Sequence, residues 1–325
     1  MQEKEFSIGI DIGGTNTDFG LVNRRGDISF QDNLKTRTYK HPGDFVTALK
    51  NKLTAAIREV GKEKITGIGI GAPNGNVYSG NIELAANLPW KGVIPLRQMV
   101  KDAFALPAFL TNDANATAIG EMTYGAAKGM QDFLLITLGT GVGSGFVANG
   151  KLIYGHDGFA GELGHVTAIR DGRPCGCGRR GCLETYASAT GIVTTAIEFL
   201  RQEGIKFDDR MQQDWLLPVW EKNNRVSAKE IYLAARAGDP LAAEIFDFTG
   251  KILGQTLADA VAITSPKAII FFGGLAKAGA YILTPAKKAM EENLLAIFKN
   301  KIELIPSGLV ERDAAILGAA ALAWQ

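Results

Sequence analysis

One pattern of apolar residues and glycines occurs twice in the sequence, and it constrains the fold more than any other feature. The first copy is Ile8-Gly-Ile-Asp-Ile-Gly-Gly-Thr15, which is followed by an apolar stretch and the turn Asn23-Arg-Arg-Gly26. The second copy is Leu134-Leu-Ile-Thr-Leu-Gly-Thr-Gly141, which is followed by an apolar stretch and Asn149-Gly150, a dipeptide typical of a tight hairpin. Each copy therefore predicts a strand, a glycine turn, a strand, a tight turn and a strand.

Each copy leads on to helices and to another buried strand that ends in glycine, at 65–71 and at 267–274. Apolar residues at helical spacing predict helices over 44–60, 189–203, 227–237, 240–264, 285–298 and 313–324. Strands that alternate with helices predict an α/β protein, and the duplication predicts two similar lobes that face each other. The polar stretch 208–225 is interpreted as a surface excursion.

The composition excludes several classes of protein. Hydrophobic residues make up 46% of the 325 residues and charged residues 21%, a globular balance that disordered chains do not have. A net charge of +1 gives no general attraction to nucleic acid, and no apolar run approaches the ~18 residues that cross a bilayer. Because the first six residues carry charges of both signs and no apolar signal core, we expect a cytoplasmic protein.

The two glycine turns, 11–17 and 139–143, are candidates for phosphate binding. Exposed backbone N–H groups in such turns form anion-binding concavities, and threonine and asparagine side chains add donors. Either turn alone is equally well explained as a tight hairpin, but the pair predicts a clamp on a polyphosphate. A P-loop is absent, and the G-x-G-x-x-G at Gly176, Gly178 and Gly181 follows no strand, which disfavours a Rossmann dehydrogenase.

All three cysteines, Cys175, Cys177 and Cys182, fall within eight positions, and His165 lies ten residues before the first of them. Three thiolates and an imidazole make a closed tetrahedral zinc set. A disulfide is disfavoured by the odd count and the missing export signal, and ordinary core thiols would be scattered along the chain. We therefore predict a structural zinc that holds His165 and the neighbouring Glu162 and Glu184 in place.

Asp113 lies where a short apolar strand, 107–110, meets an alanine-rich helical segment. An aspartate at such a junction is usually a helix N-cap. It also lies where the first lobe ends and the second begins, and phosphoryl transfer to an alcohol needs a carboxylate that orients the hydroxyl and accepts its proton. Both interpretations stay open at this point.

Five motifs together resemble the ROK family of sugar kinases and regulators, and most closely the bacterial glucokinases of that family. They are Asp11-Ile-Gly-Gly-Thr15, Thr111-Asn-Asp113, Gly139-Thr-Gly-Val-Gly143, the glutamate-histidine-cysteine signature from Gly161 to Glu184, and Phe272-Gly-Gly-Leu275. The signature is specific, whereas the wider actin-like ATPase group shares the glycine turns. The resemblance, which spans residues 6 to 324, implies a two-lobed actin-like (ribonuclease H-like) fold with a duplicated βββαβα core and a cleft. We expect one lobe at 1–111, joined by a C-terminal helix at 308–325, and the other at 112–307 with a zinc loop at 165–182.

The resemblance implies an ATP-dependent hexokinase that phosphorylates the 6-hydroxyl of glucose, with Asp113 as general base. Asn87, Asn112, Glu162, His165 and Glu184 would hold the sugar. The nucleotide would lie against Gly13, Gly14, Thr15, Asn16, Gly139, Thr140, Gly141, Gly143, Gly273 and Gly274. His165 and the three cysteines would bind structural Zn²⁺, and Asp11 would help to hold Mg²⁺ with ATP through water. A homodimer is also implied.

Several alternatives remain. Kinases of N-acetylmannosamine, N-acetylglucosamine, fructose or allose share most of these motifs, and Asn74 stands where the family often has glycine, which leaves the sugar 2-position open. Asp18 stands where a small or basic residue is expected. A sugar-sensing repressor would need a helix-turn-helix segment, for which there is no room before Phe6, and a non-catalytic sugar-binding protein would not need both glycine turns and Asp113.

Because the phosphate turns lie on separate strands from the cysteines, we expect loss of a cysteine to leave the KM for ATP nearly unchanged.

Overall fold

A computed structural model of the protein describes residues 4–201, 216–223 and 225–325. Its first sheet contains β1 (Phe6–Ile12), β2 (Thr17–Asn23), β3 (Ile28–Leu34), β4 (Ile65–Gly71) and β7 (Ala108–Thr111), in the order β3-β2-β1-β4-β7. The first three strands are antiparallel neighbours, and β4 and β7 continue the sheet in parallel. The short strands β5 (Ile82–Glu83) and β6 (Val93–Ile94) pair separately.

The second sheet repeats this plan. It contains β8 (Phe133–Leu138), β9 (Val142–Ala148), β10 (Lys151–Leu152), β11 (Ala268–Phe272) and β12 (Glu303–Pro306), in the order β10-β9-β8-β11-β12. Strand β11 is parallel to both β8 and β12, as β4 is to its two neighbours in the first sheet. The predicted duplication and the α/β class are therefore confirmed.

Helices connect the strands of both sheets. Their bounds are α1 Pro42–Val60, α2 Leu96–Phe104, α3 Asp113–Tyr124, α4 Glu184–Ala187, α5 Ala189–Arg201, α6 Leu216–Asn223, α7 Ala228–Ala237, α8 Pro240–Thr264, α9 Ala280–Asn293 and α10 Glu311–Ala321. None of the helices in the described ranges is both long and apolar enough to cross a bilayer.

Helix α9 begins at Ala280, directly after Gly279 with its φ of 58°, so that Pro285 lies inside the helix and not at its start as predicted. The proline fits there because the facing residue of α8 is Gly250, on which a Cβ atom would lie 2.6 Å from the Pro285 ring.

Within the predicted surface excursion 208–225, the structure describes α6, while 208–215 and 224 lie outside the described residues.

Contacts divide the chain into two units. The first comprises the chain up to Gln131, Gly145–Gly161 and Ser307–Gln325, and the second comprises Asp132–Ser144 and Glu162–Pro306. Helix α10, from the C-terminal end of the chain, thus packs in the first unit. The lobe boundaries inferred from the sequence, 1–111 with 308–325 and 112–307, stay a prediction.

A row of glycines explains how α10 packs on the first sheet. Gly20, Gly9 and Gly69 are neighbours across β2, β1 and β4. A Cβ atom on Gly9 would lie 2.0 Å from the carbonyl oxygen of Ile316, and one on Gly69 would lie 1.8 Å from that of Ala319. The backbone of α10 therefore lies directly on this face, while the isoleucines of β1 and β4 face the opposite way into a core with α1 and α2. The next row along the same face carries Asp11.

Candidate functional site

Asp113 is the first residue of α3, and its neighbour performs the capping. Asn112 is the N-cap, and its Oδ1 accepts a hydrogen bond of 2.9 Å from the backbone N–H of Ala114. The carboxylate of Asp113 also accepts from this N–H, at 2.8 Å, and is accessible to solvent. The surrounding protein nevertheless desolvates the carboxyl, which raises its pKa. This effect outweighs the backbone hydrogen bonds, which lower the pKa. The helix therefore does not depend on Asp113 as its N-cap.

Asp11 lies beside two other carboxylates in the first unit. It pairs with Asp18 across β1 and β2 and with Gly71 across β1 and β4, so all three positions share one face of the sheet. A Cβ atom on Gly71 would lie 3.4 Å from Oδ1 of Asp11 and 3.7 Å from the Cα of Asp113. Burial, Asp113 and Asp18, in that order, raise the pKa of Asp11 to about 7.

The orientation of Asp18, which the sequence left open, follows from this register. Its carboxylate acts on the same side of the sheet as Asp11 and disfavours the ionised form of Asp11. Carboxylate oxygens are the ligands that Mg²⁺ prefers, and a divalent cation relieves repulsion between neighbouring carboxylates. The acids Asp11 and Asp18 therefore fit a magnesium ion, held directly or through water.

The first glycine turn is supported by the segment that carries Asn87. The N–H of Gly13 donates to the carbonyl of Asn16 at 2.9 Å and closes the turn. A Cβ atom on Gly14 would lie 2.6 Å from the carbonyl oxygen of Asn87, so the two backbones are in close contact. Buried Trp90 anchors the Asn87 segment by donating from Nε1 to the carbonyl of Tyr39 at 3.0 Å. The predicted ligands Thr15, Asn16 and Asn87 are left exposed.

The departure at Asn74 has a backbone explanation. Its φ is 51°, in the left-handed region where glycine is favoured and asparagine is among the best tolerated alternatives. Its Nδ2 donates to the carbonyl of Glu83 at 2.9 Å, and the N–H of Glu83 donates back to the carbonyl of Asn74 at 3.1 Å. The side chain thus fixes the start of the β5–β6 hairpin.

The second glycine turn is held by the chain that follows the cysteines. The N–H of Gly139 donates to the carbonyl of Gly141 at 3.1 Å. The carbonyls of Gly139 and Thr140 accept from the N–H of Ala189 at 2.8 Å and from Oγ1 of Thr190 at 2.7 Å. A Cβ atom on Gly141 would lie 2.6 Å from Oε2 of Glu184. Although the phosphate turns lie on separate strands from the cysteines, these hydrogen bonds connect this turn to the chain that follows the cysteines. Because of this contact, and against the expectation from the sequence, loss of a cysteine should also raise the KM for ATP.

The glycines predicted to bind the nucleotide differ in how much space their surroundings would leave for a Cβ atom. Gly273 has a φ of 101°, and a Cβ atom there would lie 2.7 Å from the carbonyl oxygen of Leu138, so the backbone alone demands glycine. A Cβ atom on Gly139 or Gly274 would meet no atom of the described residues within 4 Å. Packing within this part of the chain therefore does not explain why these two positions are glycine.

The three cysteines and His165 converge on one point in the second unit. Their potential ligand atoms all lie within 4.8 Å of one another, with 3.7 Å between Sγ of Cys177 and Sγ of Cys182 and 3.7 Å between Sγ of Cys175 and Nδ1 of His165. A tetrahedral zinc with Zn–S bonds of about 2.3 Å separates its sulfurs by about 3.8 Å. The donor set and its spacing fit structural zinc.

Backbone pairing builds this cluster. The N–H of Ala168 donates to the carbonyl of Gly181 at 2.8 Å, and the N–H of Leu183 donates to that of Val166 at 3.0 Å. Gly181 has a φ of 75°, and a Cβ atom there would lie 1.7 Å from the carbonyl oxygen of Ile169. The segment after His165 is thereby paired with the segment around Cys182.

The two glutamates of the signature lie near this cluster and the second glycine turn. Oε1 of Glu184 lies 3.7 Å from Nδ1 of His165 and 3.0 Å from Sγ of Cys175. Glu162 is exposed, and the next residue, Leu163, donates its N–H to Oγ of Ser144 at 3.1 Å. The structure thus gathers His165, Glu184 and the turn in the second unit, and Asp11, Asp113 and Asn87 in the first.

Comparison with known proteins agrees with these features. A glucokinase from Halalkalibacterium halodurans is 35% identical over 319 residues, which cover 96% of this chain and 92% of that protein. A xylose repressor from Caldicellulosiruptor bescii is 30% identical over 97% of this chain and 77% of its own length. The crystal structure of a ROK family glucokinase from Streptomyces griseus in complex with glucose and AMPPNP matches with a TM-score of 0.80 and 32% identity, covering 98% of this chain and 99% of that one. The fold is accordingly that of the actin-like ATPases. The ROK family pattern matches residues 7–325, and the chain belongs to the ROK family.

Proposed function

We propose that the protein is a cytoplasmic, ATP-dependent hexokinase that phosphorylates the 6-hydroxyl of glucose. The observation that carries the proposal is the carboxylate of Asp113, which is accessible at the start of α3, is not the N-cap and has a raised pKa. The glucokinase names of relatives that match over nearly the whole chain support the choice of glucose.

Asp113 would act as the general base. Its carboxylate accepts a hydrogen bond from the 6-hydroxyl and takes the proton as O6 attacks the γ-phosphorus. The new O6–P bond forms while the bond from the γ-phosphorus to the β–γ bridging oxygen breaks, and ADP leaves. A pKa raised by desolvation makes the carboxylate a stronger base than an ordinary surface aspartate.

The nucleotide phosphates would lie against backbone N–H groups of the two glycine turns, Gly13 to Asn16 and Gly139 to Gly143, and the adenosine against Gly273 and Gly274. The open space above Gly139 and Gly274 supports this assignment. Mg²⁺, with Asp11 as a ligand through water, would neutralise charge on the phosphates.

The sugar would be held by Asn87, Asn112, Glu162, His165 and Glu184. Nδ1 of His165 faces the cysteine sulfurs, which leaves Nε2 for a sugar hydroxyl. Zinc with four protein ligands has no open position, so it would fix the imidazole ring and take no part in the reaction.

The test is a coupled assay of ADP release by purified protein against glucose, fructose, allose, N-acetylglucosamine and N-acetylmannosamine. We expect glucose to give the highest kcat/KM, and ³¹P NMR of the product to identify glucose 6-phosphate. A higher kcat/KM for an N-acetylhexosamine would show that this sugar, and not glucose, is the substrate. Sugar binding by calorimetry without ADP release would instead identify a sensor or binding protein.

The proposal includes a homodimer and two lobes, 1–111 with 308–325 and 112–307. Light scattering on the purified protein measures the mass in solution, for which one chain contributes 34.7 kDa. Scattering profiles with and without glucose test the lobes, because lobe closure on the substrate reduces the radius of gyration.

A further inference from the structure

Arg173 is the centre of a hydrogen-bond network that the sequence analysis did not identify. Its Nη1 donates to the carbonyls of Thr185 at 2.7 Å and Gly191 at 3.2 Å. Its Nη2 donates to Oγ1 of Thr195 at 2.9 Å, and its Nε to Oε1 of Glu198 at 3.0 Å. Only 10% of the Arg173 side chain is exposed, so its bonds to Thr185, Gly191 and Thr195 are partly shielded from water, whereas the bond to Glu198 lies at the surface.

Tyr186 fixes Arg173 from a second direction. The guanidinium carbon lies 4.4 Å from the centre of the Tyr186 ring, and the backbone N–H of Arg173 donates to the Tyr186 hydroxyl at 2.9 Å. Arg173 also lies two residues before Cys175, at the base of the hairpin that contains the bridge between Pro174 and Arg180, where its carbonyl accepts from the N–H of Gly181 at 2.8 Å. The cysteine hairpin is thereby attached to α4 and to the first turns of α5.

The same end of α5 supports the second glycine turn. Gly191, whose carbonyl accepts from Arg173, lies next to Thr190, whose Oγ1 donates to the carbonyl of Thr140. The N–H of Ala189 donates to the carbonyl of Gly139. The cysteine hairpin is therefore connected through Arg173 and the start of α5 to the turn. An open cavity of about 550 Å³ has both the turn and Arg173 in its lining.

We propose that Arg173 is a positioning residue that sets the conformation of the Gly139–Gly143 turn, and with it the affinity for nucleotide. The proposal rests on the proposed function in that it takes this turn as the phosphate-binding turn. Arginine suits the task because its planar group offers five donors in a fixed geometry, which bridge two backbone carbonyls and two side chains at once. A lysine offers one flexible ammonium in the same place.

The experiment compares Arg173→Ala and Arg173→Lys with Arg170→Ala, a control that removes an exposed arginine from the same loop. Three quantities are measured for each: zinc per chain, amide hydrogen exchange over 138–144, and the Kd for AMPPNP with Mg²⁺. A peptide from α9 reports on global stability. The exchange measurement needs neither sugar nor turnover, so the proposal and the proposed function fail separately.

We expect Arg173→Ala to keep its zinc, to exchange faster over 138–144 and to bind AMPPNP up to about 100-fold more weakly, since small misplacements of a binding group have effects of that size. Arg173→Lys should recover part of the loss, and Arg170→Ala should match the wild type. Unchanged exchange over 138–144 in Arg173→Ala overturns the proposal, as does an equal change in the control. Zinc loss or faster exchange in α9 also overturns it, because the effect then belongs to the metal or to global unfolding. If Arg173→Ala does not fold, Arg173→Lys carries the same comparison.

Discussion

Asp18 stands directly opposite Asp11 in the antiparallel pair of β1 and β2, and its negative charge contributes to the raised pKa of Asp11. The pKa of the Asp11 carboxyl is 3.8 in the unfolded chain and about 7 in the folded protein. The folded state therefore binds this proton more tightly, so the contribution of Asp11 to the stability falls as the pH rises from about 4 to about 7 and then stays level.

The first prediction follows from the direction of this pH dependence. Asp11→Asn should raise Tm at pH 8 in the absence of Mg²⁺, and its advantage over the wild type should shrink towards pH 5. Because Tm shifts by about 2–4 °C per kcal/mol for 150–250 residues and by less for a longer chain, we expect a change of a few degrees at most, which calorimetry at several pH values resolves. Asp18→Asn should move the wild-type pH dependence to lower pH.

Asp32 supplies a control of opposite sign. Its hydrogen bond to Lys52 lowers the pKa of the Asp32 carboxyl, so its contribution is present at neutral pH and is lost as the solution is acidified. Because the pair is partly exposed, Asp32→Asn should be neutral or slightly destabilising at pH 8. A gain for Asp11→Asn that is as large at pH 5 as at pH 8 would contradict the first prediction.

A second prediction separates capping from catalysis at the start of α3. Asp113→Asn should lower kcat by about 10²–10⁴-fold with little change in sugar affinity, because it removes the base and keeps the shape. Asn112→Ala should lower stability by about 1 kcal/mol, the usual value for a lost N-cap. Steady-state kinetics and thermal unfolding of both variants check this. If Asp113→Asn keeps more than about a tenth of kcat, Asp113 is not the base.

The third prediction concerns zinc. Cys177→Ser should lose the metal and raise the KM for sugar by about 10–100-fold, since it loosens His165 and Glu184. The KM for ATP should rise as well, because the chain after the cysteines holds the carbonyls of Gly139 and Thr140. Glu184→Gln is the matched control and should impair sugar use with zinc retained. A zinc-free Cys177→Ser with normal sugar binding would make the cluster a remote structural element.

The fourth prediction concerns the glycine row. Gly69→Ala places a methyl group 1.8 Å from the carbonyl oxygen of Ala319, so α10 must move away from the sheet. Overpacking of this kind costs about 1–3 kcal/mol. Gly43→Ala is the control, because a Cβ atom there meets nothing within 4 Å and its position in the first turn of α1 is helical. Equal Tm values for the two variants would show that α10 does not rest on the glycine row.

Local patterns in the sequence predict much of the fold. The repeated strand and glycine-turn pattern predicts both sheets, because alternation, buried runs and Asn-Gly turns depend on residues close together in the chain. The spacing of the cysteines predicts a metal cluster for the same reason, and the structure brings His165 to it across only ten residues. The sequence pattern predicts the start of α9 five residues too late, because the space that accommodates Pro285 inside the helix is provided by Gly250 on another helix.

The relationships that decide the chemistry depend on strand register and on packing between segments that are distant in the sequence. The register of β1 against β2 and β4 places Asp18 and Asp11 on one face of the sheet. A shift of β2 by one residue would place the side chain of Asp18 on the opposite face. Long-range packing brings α10 onto Gly9 and Gly69, and Thr190 to the carbonyl of Thr140. Sequence by itself determined which elements form and which residue types they carry, since these depend on local backbone preference. Only the tertiary structure decided which carboxylates repel one another and what Arg173 supports, because those interactions depend on distances that folding alone sets.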